Sequence, residues 1–391
     1  MPAFIEQFAA SVARERHRLA MAFGPSTADH HEEALQATMR DAWRPLSAEA
    51  TATRRPVYAT DGSQAIRHFN NGWSLIICHA LCVGPEYESP TVDVRFVRST
   101  LPDTVLTRYA GLLMRYLEVR AALDNVERAA GGVLCLDGSL HAMLPHLIYP
   151  LASDDARDLP LALLESYLDL IDACAEHDVL LLSLSKTSIG SFLGEALLRL
   201  DETSDLPAGI DLESNPLPPL PSDMEVLYRW TQGAGYSKPL VLGTQGFGNR
   251  RGQLLTAPEQ LVGAFETPNY SFQERLGLLD RLASATATVS TYVRLRREED
   301  PIRVDLMASA VGLDDRIRDT YIHWAYGADL GEVLAHLVSA YGGRSVYHAA
   351  LYVADRLVRL HNATVDSAYL SIIRAQFGAF VQYDRSRRRF I

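Results

Sequence analysis

The order of apolar segments between residues 57 and 200 constrains the fold most. Three strand-like runs come first, separated by turns at Asn70-Asn71-Gly72 and Gly84-Pro85. These runs are Val57–Asp61, Trp73–Val83 and Val92–Val97. Helical and strand-like segments then alternate over Thr104–Arg128, Gly132–Leu136, Leu161–Glu176, Val179–Leu184 and Ile189–Leu200. An antiparallel meander followed by this alternation predicts an α/β fold, a mixed β-sheet flanked by helices, with the element order of an RNase H-like core.

Residues 1–50 have a different pattern. Apolar side chains recur there three and four positions apart, as in Phe4, Phe8 and Val12, which predicts helices with a break at Gly24-Pro25. We therefore divide the chain into an N-terminal helical arm, 1–50, and a main domain, 51–391.

The main domain continues past the alternating segments. Five prolines and several acidic residues at about 201–223 predict a surface excursion. Paired strands are expected at Thr286–Leu295 and Ile302–Met307, with helices from about Gly331 to the end, as an extension of the core.

Composition places the chain among ordinary globular proteins, with 48% hydrophobic and 22% charged residues. Apolar runs are too short to cross a bilayer, and Met1–Glu15 lacks the pattern of a secretory signal. We therefore expect a soluble, cytoplasmic protein.

The net charge of −11 argues against a polyanionic partner unless basic residues are clustered. Two clusters occur, Arg294 with Arg296 and Arg297, and a tail with four arginines at 385–389. The simplest interpretation of both is a solvated strand end and a solvated terminus.

The four cysteines do not show the spacing of a zinc finger. Cys78 and Cys82 are four residues apart, but no matching His or Cys pair follows them. The other two cysteines are Cys135 and Cys174. Three of the four lie in apolar strand-like segments or beside them, where we expect a cysteine to be a small buried hydrophobic residue.

Two strand-like segments lead into the same tripeptide, Asp61-Gly62-Ser63 and Asp137-Gly138-Ser139. Sites in α/β sheets form at the ends of strands, so both carboxylates are expected at one crevice. Asp-Gly is also a common turn pair, which is the alternative for each copy taken separately.

Four further residues complete the candidate site. Glu118 and Asp355 are acids within otherwise apolar helical segments, where an acid is costly unless it is paired or bound to a cation. Glu118 could instead pair with Arg115 at the surface. Tyr347 precedes Asp355 by about two helical turns. Lys186 follows a buried strand and is a phosphate contact or a charge partner of the carboxylates, or alternatively an exposed loop lysine.

Carboxylates are the preferred ligands of hard cations such as Mg²⁺ and Mn²⁺. A pair of such ions can activate water and stabilise the leaving oxygen of a phosphodiester. Bound metal also reverses the sign of the local field, so an acidic chain can accept an acidic polymer. Asp61, Glu118, Asp137 and Asp355 are therefore expected to be catalytic metal ligands.

The chain resembles the NurA family of nucleases, which act with the HerA translocase. The matching stretches are Tyr58–Ser63, Leu113–Ala121, Val133–Leu140, Leu182–Ser188, Pro301–Leu306 and Tyr347–Val358. Within them lie Asp61, Glu118, Asp137, Lys186 and Tyr347. Together the stretches run from roughly residue 54 to residue 361, which is most of the chain.

This resemblance implies an RNase H-like fold and a homodimer enclosing a DNA channel. It also implies Mn²⁺- or Mg²⁺-dependent cleavage of DNA, as exonuclease and endonuclease, in the resection of DNA ends at double-strand breaks with a HerA-type hexameric ATPase. Two positions depart from the family pattern: Asp355 stands where many members have His, and Tyr347-His348 replaces a usual Tyr-Pro pair. His348 is expected to be a surface or packing residue.

Two other functions are compatible with the residues. One is a DNA-binding or ATPase-adaptor protein whose catalysis is weakened, which the exchange at Asp355 would allow. The other, which we favour less, is a small-molecule phosphohydrolase, because aspartates at strand ends also serve the hydrolysis of phosphate monoesters.

Overall fold

A mixed β-sheet runs through the part of the chain that the computed structural model describes, residues 2–18, 29–46, 55–98, 101–200, 206–207 and 220–378. The predicted break at Gly24-Pro25, most of the proline-rich excursion and the arginine-rich tail lie outside these residues. The strands are β1 Trp43–Pro45, β2 Val57–His68, β3 Trp73–Gly84, β4 Tyr87–Arg98, β5 Val133–Asp137, β6 Leu180–Ser185, β7 Leu206–Pro207, β8 Gly235–Ser237, β9 Leu240–Leu242, β10 Thr288–Arg294, β11 Ile302–Met307 and β12 Thr320–Trp324.

Helices cover this sheet and form the arm. They are α1 Pro2–Arg14, α2 Asp29–Ala42, α3 Asp103–Leu123, α4 Leu140–Leu147, α5 Leu159–Glu176, α6 Phe192–Arg199, α7 Asp223–Trp230, α8 Arg250–Thr256, α9 Pro258–Gly263, α10 Phe272–Ser284, α11 Gly331–Ala340, α12 Ala349–Val358, α13 Asn362–Thr364 and, after a π-helical turn, α14 Leu370–Phe377. No helix among these is long and apolar enough to cross a membrane.

The sheet has the strand order β4-β3-β2-β5-β6-β11-β10-β9-β12-β7, and β8 pairs with both β1 and β10. Strands β2, β3 and β4 form the antiparallel meander, whereas β5 pairs in parallel with β2 and with β6. The predicted α/β class, a mixed sheet flanked by helices, is confirmed, and its element order is compatible with an RNase H-like core.

Both faces of the central strands are buried. On β5, Leu134 and Leu136 face the cluster formed with α3 and α5, whereas Val133 and Cys135 face the cluster formed with α11 and α12. This follows from the alternation of side chains along a strand, and it explains the continuous apolar sequence of β5 and β6.

Strand β2 does not end at Asp61, so the predicted boundary is wrong. It continues to His68 and keeps its ladder with β3 from Ala59↔Val83 to His68↔Ser74. Only residues 57–60 pair with β5. Asp61 therefore marks the point at which β2 leaves β5, because the long partner strand β3 holds the rest of β2 extended.

Other boundaries also differ from the sequence prediction: β4 begins at Tyr87 rather than Val92, and α6 begins at Phe192 rather than Ile189. Helix α3 ends at Leu123 rather than Arg128, and the side chain of Asn125 donates to the carbonyl of Ala121 at this end. Trp43, predicted to be helical, begins β1 and pairs with Ser237 of β8. The arm thus contributes a strand to the sheet, and the domain boundary at residue 50 stays a prediction.

Arg294 is buried, which corrects its interpretation as part of a solvated basic cluster. Its guanidinium donates to the carbonyls of Leu227 and Thr231, at the C-terminal end of α7. Cations are stabilised at this end of a helix, so Arg294 joins α7 to the sheet.

We expect the central strand β6 to be sensitive to truncation of its side chains. Leu182 is fully buried between β5 and β11, so Leu182→Ala should lower the free energy of unfolding by about 2–5 kcal/mol through lost burial and a cavity. Urea denaturation measures this. Ile189→Ala is the control, because Ile189 is 97% exposed and its truncation should change stability by less than about 0.5 kcal/mol. Equal effects of the two substitutions would contradict the packing described.

Candidate active site

Asp61 lies at the divergence of β2 from β5, where its carboxylate is buried. The side chain is 6% exposed and its Oδ1 accepts a hydrogen bond of 2.8 Å from the Gly62 amide. Burial raises the pKa of Asp61 to about 6, and the neighbouring charges of Asp137 and Asp355 add to this rise, whereas the amide and Lys186 oppose it. Asp61 therefore lies close enough to Asp137 and Asp355 for their negative charges to raise its pKa.

Asp137 ends β5, as predicted, and its carboxylate is partly exposed. The ammonium of Lys186, one residue beyond β6, lies 3.4 Å from its Oδ2. The same ammonium lies 4.6 Å from the centre of the Tyr347 ring. Lys186 is thus exposed while its ammonium contacts a carboxylate and an aromatic face, and its role stays a prediction.

Glu118 points from α3 towards the two strands and is 4% exposed. Its Oε2 forms an ion pair of 2.7 Å with Arg115, one turn earlier on α3. Burial raises the pKa of Glu118 to about 7, with contributions from Asp61 and Asp137, while Arg115 lowers it. The pairing with Arg115 occurs, but the carboxylate is buried against the sheet rather than at the surface.

Gly62 allows this close approach of α3. A Cβ atom on residue 62 would lie 2.6 Å from Oε1 of Glu118 and 2.9 Å from Cγ of Met114, distances at which atoms overlap. The missing side chain therefore leaves the space that the Glu118 carboxylate occupies beside Asp61.

The second Asp-Gly-Ser is fixed by several hydrogen bonds. Arg115 donates to the main-chain oxygen of Asp137 at 2.5 Å, and Gly138 has a φ of +107°, a conformation that favours glycine. Ser139 accepts from the amide of Ala142, as the N-cap of α4, and donates at 2.5 Å to the buried carboxylate of Asp305. The end of β5 is therefore held on both sides.

Helix α12 brings Asp355 and Tyr347 to the same place. Asp355 pairs with Arg359 at 2.6 Å, and Tyr347 lies just before the helix. Burial and the charges of Asp137, Asp61 and Asp355 raise the pKa of Tyr347. Its buried hydroxyl has no hydrogen-bond partner among the described residues. Ser63 ties α12 to β2, because its Oγ accepts from the amide of Leu360 at 2.9 Å.

A cleft of about 440 Å³ opens beside this cluster. Its lining includes Lys186, Arg344, Tyr347, Asp355 and Arg359. Of the four acids, Asp355 lines this cleft, and Glu299 and Asp300 line it as well. Asp61 lies near enough to Glu118, Asp137 and Asp355 for their charges to interact. Carboxylate oxygens are the ligands of Mg²⁺ and Mn²⁺ in proteins, so a hard divalent cation is the group this donor set could hold.

The sequence interpretation missed the part played by Arg115 and Asp305. The sequence predicts Arg115 only as a surface partner of Glu118, although its position three residues before Glu118 places both side chains on one face of the helix. Asp305 alternates with Arg303 inside a predicted strand. The two side chains form a fully buried ion pair of 2.7 Å, and nothing in the local sequence indicates that this pair supports Ser139.

Comparison with known proteins identifies the same architecture. The family model for the NurA domain matches residues 55–360. The crystal structure of the NurA nuclease from Sulfolobus solfataricus has a TM-score of 0.56 at 16% identity, covering 96% of this chain and 97% of that one. A second NurA crystal structure has a TM-score of 0.57 at 11% identity, covering 93% and 97%. A NurA structure bound to dAMP and manganese has a TM-score of 0.53 at 12% identity, with the same coverage. No curated protein matches the chain.

The cost of burying the Asp61 carboxylate beside other acids should be measurable as a pH-dependent gain of stability in Asp61→Asn. The folded-state pKa of about 6 exceeds the ordinary value of 3.8, so stability falls as pH rises through this interval. In a chelating buffer we expect Asp61→Asn to gain roughly 1–3 kcal/mol of unfolding free energy at about pH 8 and little at about pH 4. The control is Asp124→Asn, at an exposed ion pair. A loss of stability at the higher pH would contradict this electrostatic description.

The tight contact between β2 and α3 predicts that Gly62→Ala is destabilising. The added methyl group overlaps the Glu118 carboxylate, and overpacking of this kind costs about 1–3 kcal/mol. Thermal and urea denaturation measure the loss. Gly111→Ala, within α3 and with open space around it, should instead be neutral or raise stability by up to about 1 kcal/mol. If Gly62→Ala is as stable as Gly111→Ala, the described packing is wrong.

Proposed function

Because the chain belongs to the NurA family, we propose that it is a metal-dependent nuclease that cleaves DNA strands. The observation that supports this proposal is that Asp61 lies near Glu118, Asp137 and Asp355, the last of which lines the cleft. Family membership gives the reaction class, and the carboxylates give the chemistry by which it would proceed.

The donor set fits Mn²⁺ or Mg²⁺. Asp61 and Glu118 are almost fully buried, and burial together with the neighbouring acids raises their pKa values to about 6 and about 7. A bound cation would stabilise the charged forms of both groups. Hard oxygen ligands with uncompensated charge attract divalent cations. The similar NurA structure with dAMP and manganese supports Mn²⁺ as the first metal to test.

We assign metal binding to the four carboxylates Asp61, Glu118, Asp137 and Asp355. When bound, such ions would lower the pKa of a water molecule and offset the charge of the scissile phosphate. An aspartate at position 355 supplies an oxygen ligand, whereas the histidine of many family members would supply nitrogen. We therefore expect the preference for metals to lie further towards oxygen-loving ions.

Lys186 and Tyr347 are assigned to the substrate. The ammonium of Lys186 faces the cleft beside Asp137 and could contact a phosphate oxygen as a point charge. The raised pKa of Tyr347 keeps its hydroxyl protonated, so it acts as a hydrogen-bond donor rather than as a base. Its hydroxyl has no partner among the described side chains, which leaves it available for a phosphate or a water molecule.

The finer assignments rest on family membership. We propose exonuclease and endonuclease activity on single strands and duplex ends, a homodimer, and joint action with a HerA-type hexameric ATPase in the resection of DNA ends during double-strand break repair. The acidic net charge requires that DNA binding depend on local features such as Arg344, Arg359 and Lys186 in the cleft.

A nuclease assay with carboxylate variants tests the proposal. Asp61→Asn and Asp137→Asn should each reduce Mn²⁺-dependent cleavage of end-labelled single-stranded DNA by roughly a hundredfold or more, because each removes a charge worth several kcal/mol in the transition state. Asp124→Asn should retain full activity, since this exposed residue pairs with Arg120 away from the cluster.

Each assay is run with strands labelled at either end, with and without the translocase. Wild-type activity in both variants would defeat the site assignment. Metal-dependent DNA binding without cleavage in the wild-type protein under every condition would favour the weakened adaptor. Rapid turnover of an aryl phosphate ester with no cleavage of DNA would favour the phosphohydrolase.

A further inference from the structure

Three buried side chains outside the carboxylate cluster meet behind the end of β5. The Sγ atom of Cys135 lies 3.7 Å from Nε2 of His336 and 3.5 Å from Nε2 of His348, and the two Nε2 atoms are 2.9 Å apart. All three side chains are fully buried. They come from β5, from α11 and from the N-cap of α12, so three separate elements direct a ligand atom to one point.

The spacing of these atoms suits a tetrahedral metal ion. Zn²⁺ binds imidazole nitrogen at about 2.0–2.1 Å and thiolate sulfur at about 2.3 Å, which separates its ligand atoms by roughly 3.3–3.6 Å. The three observed separations, from 2.9 to 3.7 Å, bracket this interval. An ion could therefore be accepted with side-chain shifts of a few tenths of an ångström.

Neither imidazole carries a charge. Burial lowers the pKa of His336 to about 4 and that of His348 to about 3, so both rings are neutral. Nε2 of His348 would offer a lone pair once its proton moves to Nδ1, which gives up the hydrogen bond from the Leu351 amide. Burial raises the pKa of the Cys135 thiol, so binding of the ion would release its proton to solvent. Sulfur with two imidazoles is a softer donor set than the carboxylates, and it selects Zn²⁺ over Mn²⁺ and Mg²⁺.

We propose that Cys135, His336 and His348 form a second metal site, for Zn²⁺, with these three protein ligands and a fourth position open to a water molecule. Cys135 is two residues before Asp137 and on the same face of β5. His348 begins the helix that carries Asp355. The ion would fasten β5 to α12 and α11 beneath the carboxylate cluster. The binding of Zn²⁺ does not depend on the proposed nuclease function. That the ion positions Asp137 relative to Asp355 for catalysis does rest on that function.

A metal-free arrangement of the same side chains is the competing description. The amide of Leu351 lies 3.3 Å from Nδ1 of His348 and can donate to it, which places the proton of His348 on Nε2. That Nε2–H would then donate to Nε2 of His336 across the 2.9 Å contact. The two descriptions differ in whether the purified protein binds one thiophilic ion.

The test measures metal binding by the full chain, purified under reducing conditions. Elemental analysis should find one zinc per chain after dialysis against Zn²⁺ and a weak chelator. Titration of metal-free protein with Co²⁺ should produce the near-ultraviolet absorption of a cobalt–thiolate bond, which Zn²⁺ abolishes and excess Mn²⁺ does not. Absence of bound zinc together with absence of this absorption in the wild-type protein would overturn the proposal.

Variants assign the signal to the three residues. Cys135→Ser should lose the cobalt–thiolate absorption, whereas Cys174→Ser, at a buried cysteine on α5, should retain it. If Cys135→Ser does not fold, His348→Asn replaces it, because asparagine preserves a helix N-cap. Asp61→Asn should keep the absorption while losing cleavage of DNA, which separates this site from the proposed active site. Absorption that survives Cys135→Ser or His348→Asn would place the thiolate elsewhere and refute the assignment.

Discussion

Carboxylates that share a buried cluster repel one another, and the protein holds them together through contacts made by other groups. The ion pair of Arg115 with Glu118 is central, because the same guanidinium also donates to the main chain at Asp137. One arginine on α3 thus joins an acid of the helix to the end of β5. Burial, with a smaller contribution from neighbouring acids, raises the pKa values of Asp61 and Glu118, so keeping both carboxylates charged costs free energy.

The repeated Asp-Gly-Ser has a separate structural reason for each residue. The aspartate supplies the carboxylate. At residue 62 the glycine leaves space for the side chain of Glu118. At residue 138 it permits the positive φ of a turn beside Arg115. The serine fastens a neighbouring element, since Ser63 binds the chain after α12 and Ser139 caps α4 and binds Asp305. The tripeptide therefore couples the position of each acid to the packing of a different helix.

Much of this could be predicted from the sequence, because the deciding signals are local. Apolar runs ending in Asp61 and Asp137 and the isolated acids Glu118 and Asp355 indicated the members of the cluster, and the order of strands and helices gave the fold class. The extent of β2 could not be predicted, because it depends on pairing with β3 rather than on its own polar residues 64–68.

Features that depend on contacts between distant parts of the chain could not be predicted either, because local sequence patterns do not record such contacts. Strands β8 and β9 have three residues each, too few to show a period. The support of Ser139 by Asp305 joins residues 166 positions apart. The contact of Cys135 with His336 and His348 spans more than 200 positions, and neither histidine has the spacing of a known metal motif. These contacts can be identified only in the folded structure, where the sheet brings the elements together.

The location of Asp61 within a continuous strand affects how the site responds to a ligand. Strand β2 is bonded to β3 on both sides of Asp61, and the other acids stand on α3, at the end of β5 and on α12. None of these four residues lies on a long loop. The backbone is therefore already ordered when a ligand arrives, so association costs little conformational entropy and the rate of capture is set by diffusion and desolvation. A ligand bound by these acids would accordingly be exchangeable for another without refolding of any element.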